Sequence, residues 1–266
     1  MSSIVAIDAG GSTTKVYDGV QLRQFPSTIS YDWRERNMES NGPYDFEWTY
    51  NGERGFAGTL AQRESDCADS QKGDTKAHPE ALLRVLLALH QFCTAPAPQI
   101  IVGQPIKTHT PGEKGAIKQM LQARHDITVN GQRRIIVIQR CEVAAEGVSA
   151  GLLVPGGGVV RVLDIGSGTV NFGTLIDRQF NDLGSFTLSK GLETLRAAGP
   201  LAFARQIARK AIAGGWKRDD RVYLCGGGAE ALLGFLQQYF PAAEVIPDPV
   251  TANVRAFYMI ARKFYG

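Results

Sequence analysis

One short pattern occurs twice in this sequence, and its repetition constrains the fold more than any other feature. An apolar stretch runs into Asp8 and continues through glycine and hydroxyl residues, and the same arrangement recurs at Asp164. Both copies fit D-x-G-x-x-T, and the second is displaced by 156 positions, from Asp8 to Asp164. Each copy predicts a β-strand that ends in an aspartate, turns through glycines and returns as a second strand. The duplication predicts two halves of similar fold that face each other across a cleft.

The residue types in these turns are suited to an anion and a metal ion. Glycine has no Cβ, so backbone N–H groups can approach a phosphate closely, and serine and threonine hydroxyls add further donors. An aspartate at the end of a strand can face a divalent cation, which makes Asp8 and Asp164 candidate metal ligands. The candidate ligand-binding residues, for the anion and its metal ion together, are Asp8, Gly10, Gly11, Ser12, Thr13 and Lys15 in and beside the first turn and Gly166, Ser167, Gly168 and Thr169 in the second.

A third glycine turn follows late in the chain. The stretch YLCGGGAE, Tyr223 to Glu230, reads as a buried strand, a turn through Gly226, Gly227 and Gly228, and the start of a helix. Consecutive glycines allow a flat ring or a ribose to approach the backbone, and a helix N-terminus favours anions. The turn is therefore a third candidate for ligand binding.

The segments between the turns alternate strand and helix patterns, which favours an α/β fold. A hairpin is predicted at Asn51-Gly52, a buried helix from Pro79, and strands near Ile127–Val129 and Arg134–Gln139. The stretch from Cys141 to Leu153 has helical spacing.

Composition limits the class of protein. The 266 residues carry a net charge of +3 with acidic and basic residues interspersed, so direct nucleic-acid binding is not indicated. The four cysteines form no C-x-x-C pair, which is typical of reduced thiols. The N-terminus shows no charged and apolar leader, and no stretch approaches the length of a membrane span. These features predict a cytoplasmic protein without a membrane partner.

The three turns, in this order, resemble the phosphate-1, phosphate-2 and adenosine motifs of the actin, sugar-kinase and chaperone ATPase superfamily. The ending PDPVTANVRAFYMIARKFYG is similar to the C-terminus of bacterial and archaeal actin-like proteins of the plasmid-segregation, ParM-like group. The resemblance implies an α/β, actin-like two-domain fold, with duplicated ribonuclease-H-like halves around a nucleotide cleft. Domain I would comprise 1–148, with an inserted subdomain at about 26–76, and would be completed by a C-terminal helix at 250–266. Domain II would comprise 149–249.

The same resemblance implies a nucleotide-dependent ATPase, or GTPase, that forms filaments of itself for plasmid segregation. Hydrolysis with Mg²⁺, held by Asp8 and Asp164, would control polymer stability, and a DNA-binding adaptor protein would be the partner. Glu146 would position the attacking water, with Glu142 as the second choice, and Asp164 would be the other catalytic residue. Lys190 and Glu193 would border the ribose and base, and Gly226, Gly227 and Gly228 would contact the adenosine.

Three other activities occur in proteins with such turns. A small-molecule kinase of the N-acetylhexosamine type needs a carboxylate to deprotonate the acceptor hydroxyl, and Glu142 or Glu146 keeps this alternative open. An iron–sulfur activator of dehydratases should carry cluster-ligating cysteines, and no suitable pair is present. A chaperone would need a peptide-binding domain, for which no part of the chain remains.

Overall fold

The computed structural model describes residues 3–37, 42–65, 75–192 and 199–266. The chain divides into two compact units. Unit 1 comprises Met1–Val102, Pro111–Val143 and Ile260–Gly266, and unit 2 comprises Gly103–Thr110 and Ala144–Met259. This division differs from the predicted domains at three places, because residues 103–110, residues 144–148 and most of the C-terminal helix group with unit 2.

The elements have the following bounds. The strands are β1 (Ile4–Ala9), β2 (Thr13–Tyr17), β3 (Leu22–Pro26), β4 (Ile29–Ser30), β5 (Asp45–Tyr50), β6 (Glu53–Gly58), β7 (Gln99–Gln104), β8 (Arg124–Val129), β9 (Gln132–Val137), β10 (Arg140–Ala145), β11 (Val159–Ile165), β12 (Val170–Ile176), β13 (Gln179–Phe180), β14 (Phe186–Leu188), β15 (Arg221–Cys225) and β16 (Glu244–Val245). The helices are α1 (Thr59–Glu64), α2 (Pro79–Phe92), α3 (Pro111–Leu121), α4 (Pro200–Ala213), α5 (Ala229–Leu236) and α6 (Ala252–Tyr265), and short 3₁₀ helices span Ile106–Thr108, Val148–Leu153 and Pro249–Thr251.

The first sheet is built around the hairpin that carries Asp8. Its strand order is β10-β7-β1-β2-β3. Strands β1 and β2 are antiparallel, with Asp8 opposite Lys15, and β7 runs parallel to β1. The predicted strand–turn–strand at the N-terminus is therefore confirmed.

The second sheet corrects the predicted extent of the inserted subdomain. Its order is β4-β6-β5-β8-β9, so the strands of the 26–76 stretch pair with strands from 124–137. The β5–β6 hairpin turns at Asn51-Gly52, where φ is +50° and +82°, as predicted for this dipeptide. Phe46 and Trp48 are buried on one face of β5. Residues 38–41 and 66–74 of this stretch lie outside the described part of the chain.

Helix α2 contributes a large share of the core of unit 1. Most of its residues from Ala81 to His90 are buried, and Leu86 and Leu87 are completely inaccessible. The helix begins with Pro79 in its first turn, and His78 caps it by accepting a hydrogen bond from Ala81 N at Nδ1 (3.3 Å). Burial, together with the positive charges of Arg84 and Lys76, lowers the pKa of His78 to about 4. The imidazole is therefore neutral at pH 7 and able to accept this bond.

Unit 2 repeats the topology of the first sheet. Its strands are ordered β13-β12-β11-β15-β16, with β14 also paired to β12. Strands β11 and β12 are antiparallel, with Asp164 opposite Asn171, and β15 runs parallel to β11. Each unit thus contains an antiparallel hairpin with a parallel strand beside its first member, which is the duplication that the repeated pattern predicted.

The helix predicted from Cys141 to Leu153 is wrong over its first half. Residues 140–145 form β10, which is hydrogen-bonded to β7, and only Val148–Leu153 are helical, as a 3₁₀ helix. Cys141 and Val143 are buried with the half-buried Glu142 between them, so the segment alternates as a strand does. Pairing with a buried neighbour overrides the local helical spacing.

No helix within the described ranges is long and apolar enough to cross a membrane.

Candidate functional site

Two lysines contact the residues next to the first glycine turn, which joins β1 and β2. Asp8 is 6% exposed, and its Oδ2 accepts a hydrogen bond from Lys15 Nζ at 3.3 Å across the hairpin. Lys76 Nζ donates to the carbonyl oxygen of Ala9 at 2.6 Å. A Cβ on Gly10 would lie 2.7 Å from Thr13 O, so the turn requires glycine there. No local sequence pattern marked Lys76, because this lysine is distant from the turn along the chain.

The second glycine turn, between β11 and β12, is held by backbone hydrogen bonds. Gly166 N donates to Thr169 O at 2.9 Å, and Gly166 O accepts from Leu192 N at 2.9 Å. A Cβ on Gly191 would lie 2.3 Å from Ser167 O, so the segment after β14 packs directly on this turn. Lys190, which precedes Gly191, is exposed. Glu193 lies outside the described residues.

Asp164 is buried at the end of β11 and is held by two amides. It is 7% exposed, and its Oδ2 accepts hydrogen bonds from Asn171 Nδ2 at 3.4 Å and from Asn253 Nδ2 at 3.0 Å. Asn171 occupies the position in the second hairpin that Lys15 occupies in the first. The repeat offset could have identified Asn171, whereas no local pattern marked Asn253.

The turn formed by Glu146 and Gly147 packs against Asp164. Gly147 has a φ of +74°, and a Cβ on it would lie 3.0 Å from the Cβ of Asp164 and 2.9 Å from that of Asn171. Glu146 itself is 8% exposed. The fold therefore brings the two residues that we selected as catalytic, Glu146 and Asp164, to neighbouring positions within unit 2.

Glu142, the second choice for the same role, is in unit 1. It lies on β10 and forms an ion pair with Lys118 of α3, with 2.7 Å between Lys118 Nζ and Glu142 Oε2. Its carboxylate is thus already used in a contact between strand and helix.

The third glycine turn contains glycines of two kinds. Gly226 has a φ of +84°, and a Cβ on it would lie 2.5 Å from Ile165 O and 2.7 Å from Asp164 Oδ1. A Cβ on Gly228 would lie 2.4 Å from Ile165 Cγ2. Gly227 is exposed, and the nearest atom to its Cβ position is Leu192 Cδ1 at 3.5 Å. Packing against β11 therefore requires glycine at 226 and 228, and Gly227 is the position open to a ligand.

This difference predicts that alanine at position 226 lowers the stability of the fold much more than alanine at position 227 does. Gly226→Ala should lower the free energy of unfolding by about 1–3 kcal/mol, because alanine would be strained at positive φ and would contact Ile165 O. Gly227→Ala should change it by less than about 0.5 kcal/mol, the usual range for an exposed position. Denaturant unfolding of the two variants measures both effects. Equal stability of the two would contradict the packing at this turn.

Asp164 is the candidate ligand for a divalent cation in unit 2. In the ranges that the structure describes, no group of three His, Cys, Asp or Glu side chains is arranged to hold a metal. Mg²⁺ is commonly held by one or two carboxylates together with water and phosphate oxygens. Asp164 supplies such a carboxylate beside a glycine turn.

Comparison with known proteins identifies the family. Residues 6–148 match the model of the N-terminal domain of actin-like proteins, which is more than half of the chain. No curated protein matches the chain in sequence.

Several solved structures share the fold over almost the whole chain. The AlfA filament bound to AMPPNP is 21% identical, with a TM-score of 0.80, and the match covers 99% of this chain and 98% of that chain. Ta0583, an archaeal actin homologue in complex with ADP, is 21% identical, with a TM-score of 0.78 and coverage of 99% and 100%. A subunit of the 15-stranded ParM filament from Clostridium botulinum is 18% identical, with a TM-score of 0.79 and coverage of 99% of each chain. The likeness confirms the predicted actin-like α/β fold, and the family match shows that this chain belongs to the actin-like proteins.

Proposed function

We propose that this chain is an actin-like nucleoside triphosphatase that polymerises with ATP or GTP and Mg²⁺. The observation that carries the proposal is the arrangement, within unit 2, of a carboxylate at a glycine turn (Asp164), a buried glutamate (Glu146) in the turn that packs against it, and an exposed glycine in the next turn (Gly227). The solved structures of similar fold include a filament bound to AMPPNP and a complex with ADP, which supports a nucleotide as the ligand.

Each group has a role that its chemistry supports. The backbone N–H groups and hydroxyls from Ser167 to Thr169 would be donors for phosphate oxygens, while Gly166 N closes the turn by donating to Thr169 O. Glu146 would orient a water molecule and accept its proton as the water attacks the terminal phosphate. Asp164 would hold Mg²⁺, which neutralises the charge on the phosphates. Gly227 would face the sugar or base, and Lys190 would border the same ligand, since it lies two residues before Leu192, whose side chain is the nearest to the Cβ position of Gly227.

The first turn would contribute to phosphate binding in unit 1. Lys15 and Lys76 provide two positive charges beside the glycines from Gly10 to Gly11. Asp8 stays a predicted metal ligand, and its ion pair with Lys15 would have to loosen for it to bind the ion directly. Ser12 and Thr13 are the hydroxyl donors of this turn.

The biological role that we propose is plasmid segregation in the cytoplasm, with the chain itself as the filament partner and a DNA-binding protein as adaptor. Support comes from the similar folds of AlfA and ParM, both of which are described as filaments. The net charge of +3 is spread over the chain and gives no basic stripe for direct DNA contact.

Sedimentation tests the proposal most directly. The purified chain should pellet with Mg²⁺ and ATP, GTP or AMPPNP, and should remain in the supernatant with EDTA. Polymer should persist longest with AMPPNP, because hydrolysis is blocked. A chain that stays small with every nucleotide and turns over ATP faster when a hexosamine is added would instead be a sugar kinase.

A further inference from the structure

Asn253, on the first turn of α6, joins three elements of unit 2 through its amide group. It is 8% exposed. Its Oδ1 accepts a hydrogen bond from Gly147 N at 2.9 Å, and its Nδ2 donates to Asp164 Oδ2 at 3.0 Å. One side chain thus connects the N-terminal turn of α6, the Glu146–Gly147 turn and the end of β11.

The hydrogen bonds determine which way this amide points. A backbone N–H can only donate, so the atom of Asn253 that faces Gly147 N must be the amide oxygen. The amide nitrogen must then face Asp164. An acidic side chain would lack this donor, and an aliphatic one would lack both atoms.

Asn171 is oriented by the same logic from the opposite side. A carboxylate oxygen can only accept, so the atom of Asn171 that faces Asp164 Oδ2 at 3.4 Å must be the amide nitrogen. Asn171 Oδ1 then accepts from the hydroxyl of Thr187 at 2.8 Å, and Thr187 Oγ1 accepts from Lys107 N at 3.1 Å. Two amides donate to the same carboxylate oxygen, which fixes the plane of the carboxylate and directs Oδ1 towards the Gly226 turn.

We propose that Asn253 is a positioning residue that orients the Asp164 carboxylate for a divalent cation and holds the Glu146 turn beside it. This inference rests on the proposed function, since it assigns the ion to Asp164. The shorter of the two amide contacts comes from Asn253, and the Asn253 amide also accepts a hydrogen bond from the Glu146–Gly147 turn, at Gly147 N. Removing partners that orient a metal-binding carboxylate typically costs about 10–100-fold in metal affinity or activity.

The experiment compares ADP affinity in Mg²⁺ with ADP affinity in EDTA, by calorimetry, for the full chain and three variants. Asn253→Ala should reduce the gain in affinity that Mg²⁺ provides by about tenfold or more, and should leave the affinity in EDTA within about twofold of the unaltered chain. Asn253→Ser should restore only a small part of the gain, because its hydroxyl supplies an acceptor and a donor but lies one bond closer to the backbone than the amide atoms that contact Gly147 N and Asp164. Gln237→Ala is the matched control, since this amide donates to Ala243 O at 3.0 Å elsewhere in unit 2, and it should leave the gain unchanged.

The possible outcomes distinguish failure of the proposed nucleotide and metal function from failure of the positioning role of Asn253. If the unaltered chain does not bind ADP, or binds it equally in Mg²⁺ and EDTA, the proposed nucleotide and metal function is itself overturned. If the unaltered chain shows the gain and both Asn253 variants retain it, only the positioning role is overturned. Thermal unfolding of each variant without nucleotide shows whether it is folded, and Asn253→Ser carries the test if Asn253→Ala is not. A role limited to stability would lower the unfolding temperature without changing the gain from Mg²⁺.

Discussion

Replacing Asp164 with asparagine should slow ATP or GTP hydrolysis by about 10²–10³-fold, the loss typical of removing one group that stabilises charge in a transition state. The change removes the negative charge that would hold Mg²⁺ while preserving the shape of the side chain. Its amide oxygen can still accept from Asn171 and Asn253, so the variant should fold. Steady-state phosphate release measures the effect.

The choice of substitution matters because Asp164 is buried. Asp164→Ala would leave the amide N–H groups of Asn171 and Asn253 without their acceptor, at a cost of about 1–3 kcal/mol for each buried group. A loss of activity in that variant could then reflect the fold. Asp219→Asn is the matched control, since Asp219 is exposed, and it should hydrolyse nucleotide at the normal rate. Equal turnover in both asparagine variants would remove Asp164 from the site.

Glu146→Gln should lower the hydrolysis rate by about 10²–10⁴-fold, because a glutamine can still contact water but cannot accept its proton. Nucleotide binding should be retained, and polymer formed with ATP and Mg²⁺ should persist, since the step that weakens it is blocked. Single-turnover hydrolysis and sedimentation over time measure the two effects separately.

Glu142→Gln is the control that separates the two candidate glutamates. Its ion pair with Lys118 is partly exposed, and such pairs contribute about 0–1 kcal/mol. This variant should therefore hydrolyse nucleotide normally and be nearly as stable as the unaltered chain. A large rate loss in Glu142→Gln together with normal turnover in Glu146→Gln would reverse the assignment.

Elements whose contacts lie between residues close together in the sequence could be predicted from the sequence. The hairpins at Asp8 and Asp164 each join adjacent strands through a turn of a few residues, so their glycines and alternating side chains are sufficient to specify them. Helix α2 has its start signal and its apolar residues in one continuous stretch. The second copy of the pattern, 156 positions after the first, extended this local information to the two sheets that contain β1 and β11, and with them to the fold class.

Where a segment pairs with a strand that is distant in the chain, the tertiary structure decided its secondary structure and its partner. Cys141 to Ala145 has helical spacing but forms a strand, because β7 offers it a hydrogen-bonding edge. Strand β5 pairs with β8, across about eighty residues, so the subdomain predicted at 26–76 could not be delimited from its own stretch.

The same division applies to the candidate site. The sequence by itself determined the aspartates and glycines of the turns, because a tight turn and a close backbone approach impose residue types locally. Only the tertiary structure showed that Gly226 and Gly228 are required by packing on β11 and that Gly227 is the open one. It also decided that Asn171 and Asn253 hold Asp164, since a hydrogen bond depends on distance in space, and Asn253 lies 89 positions from its acceptor.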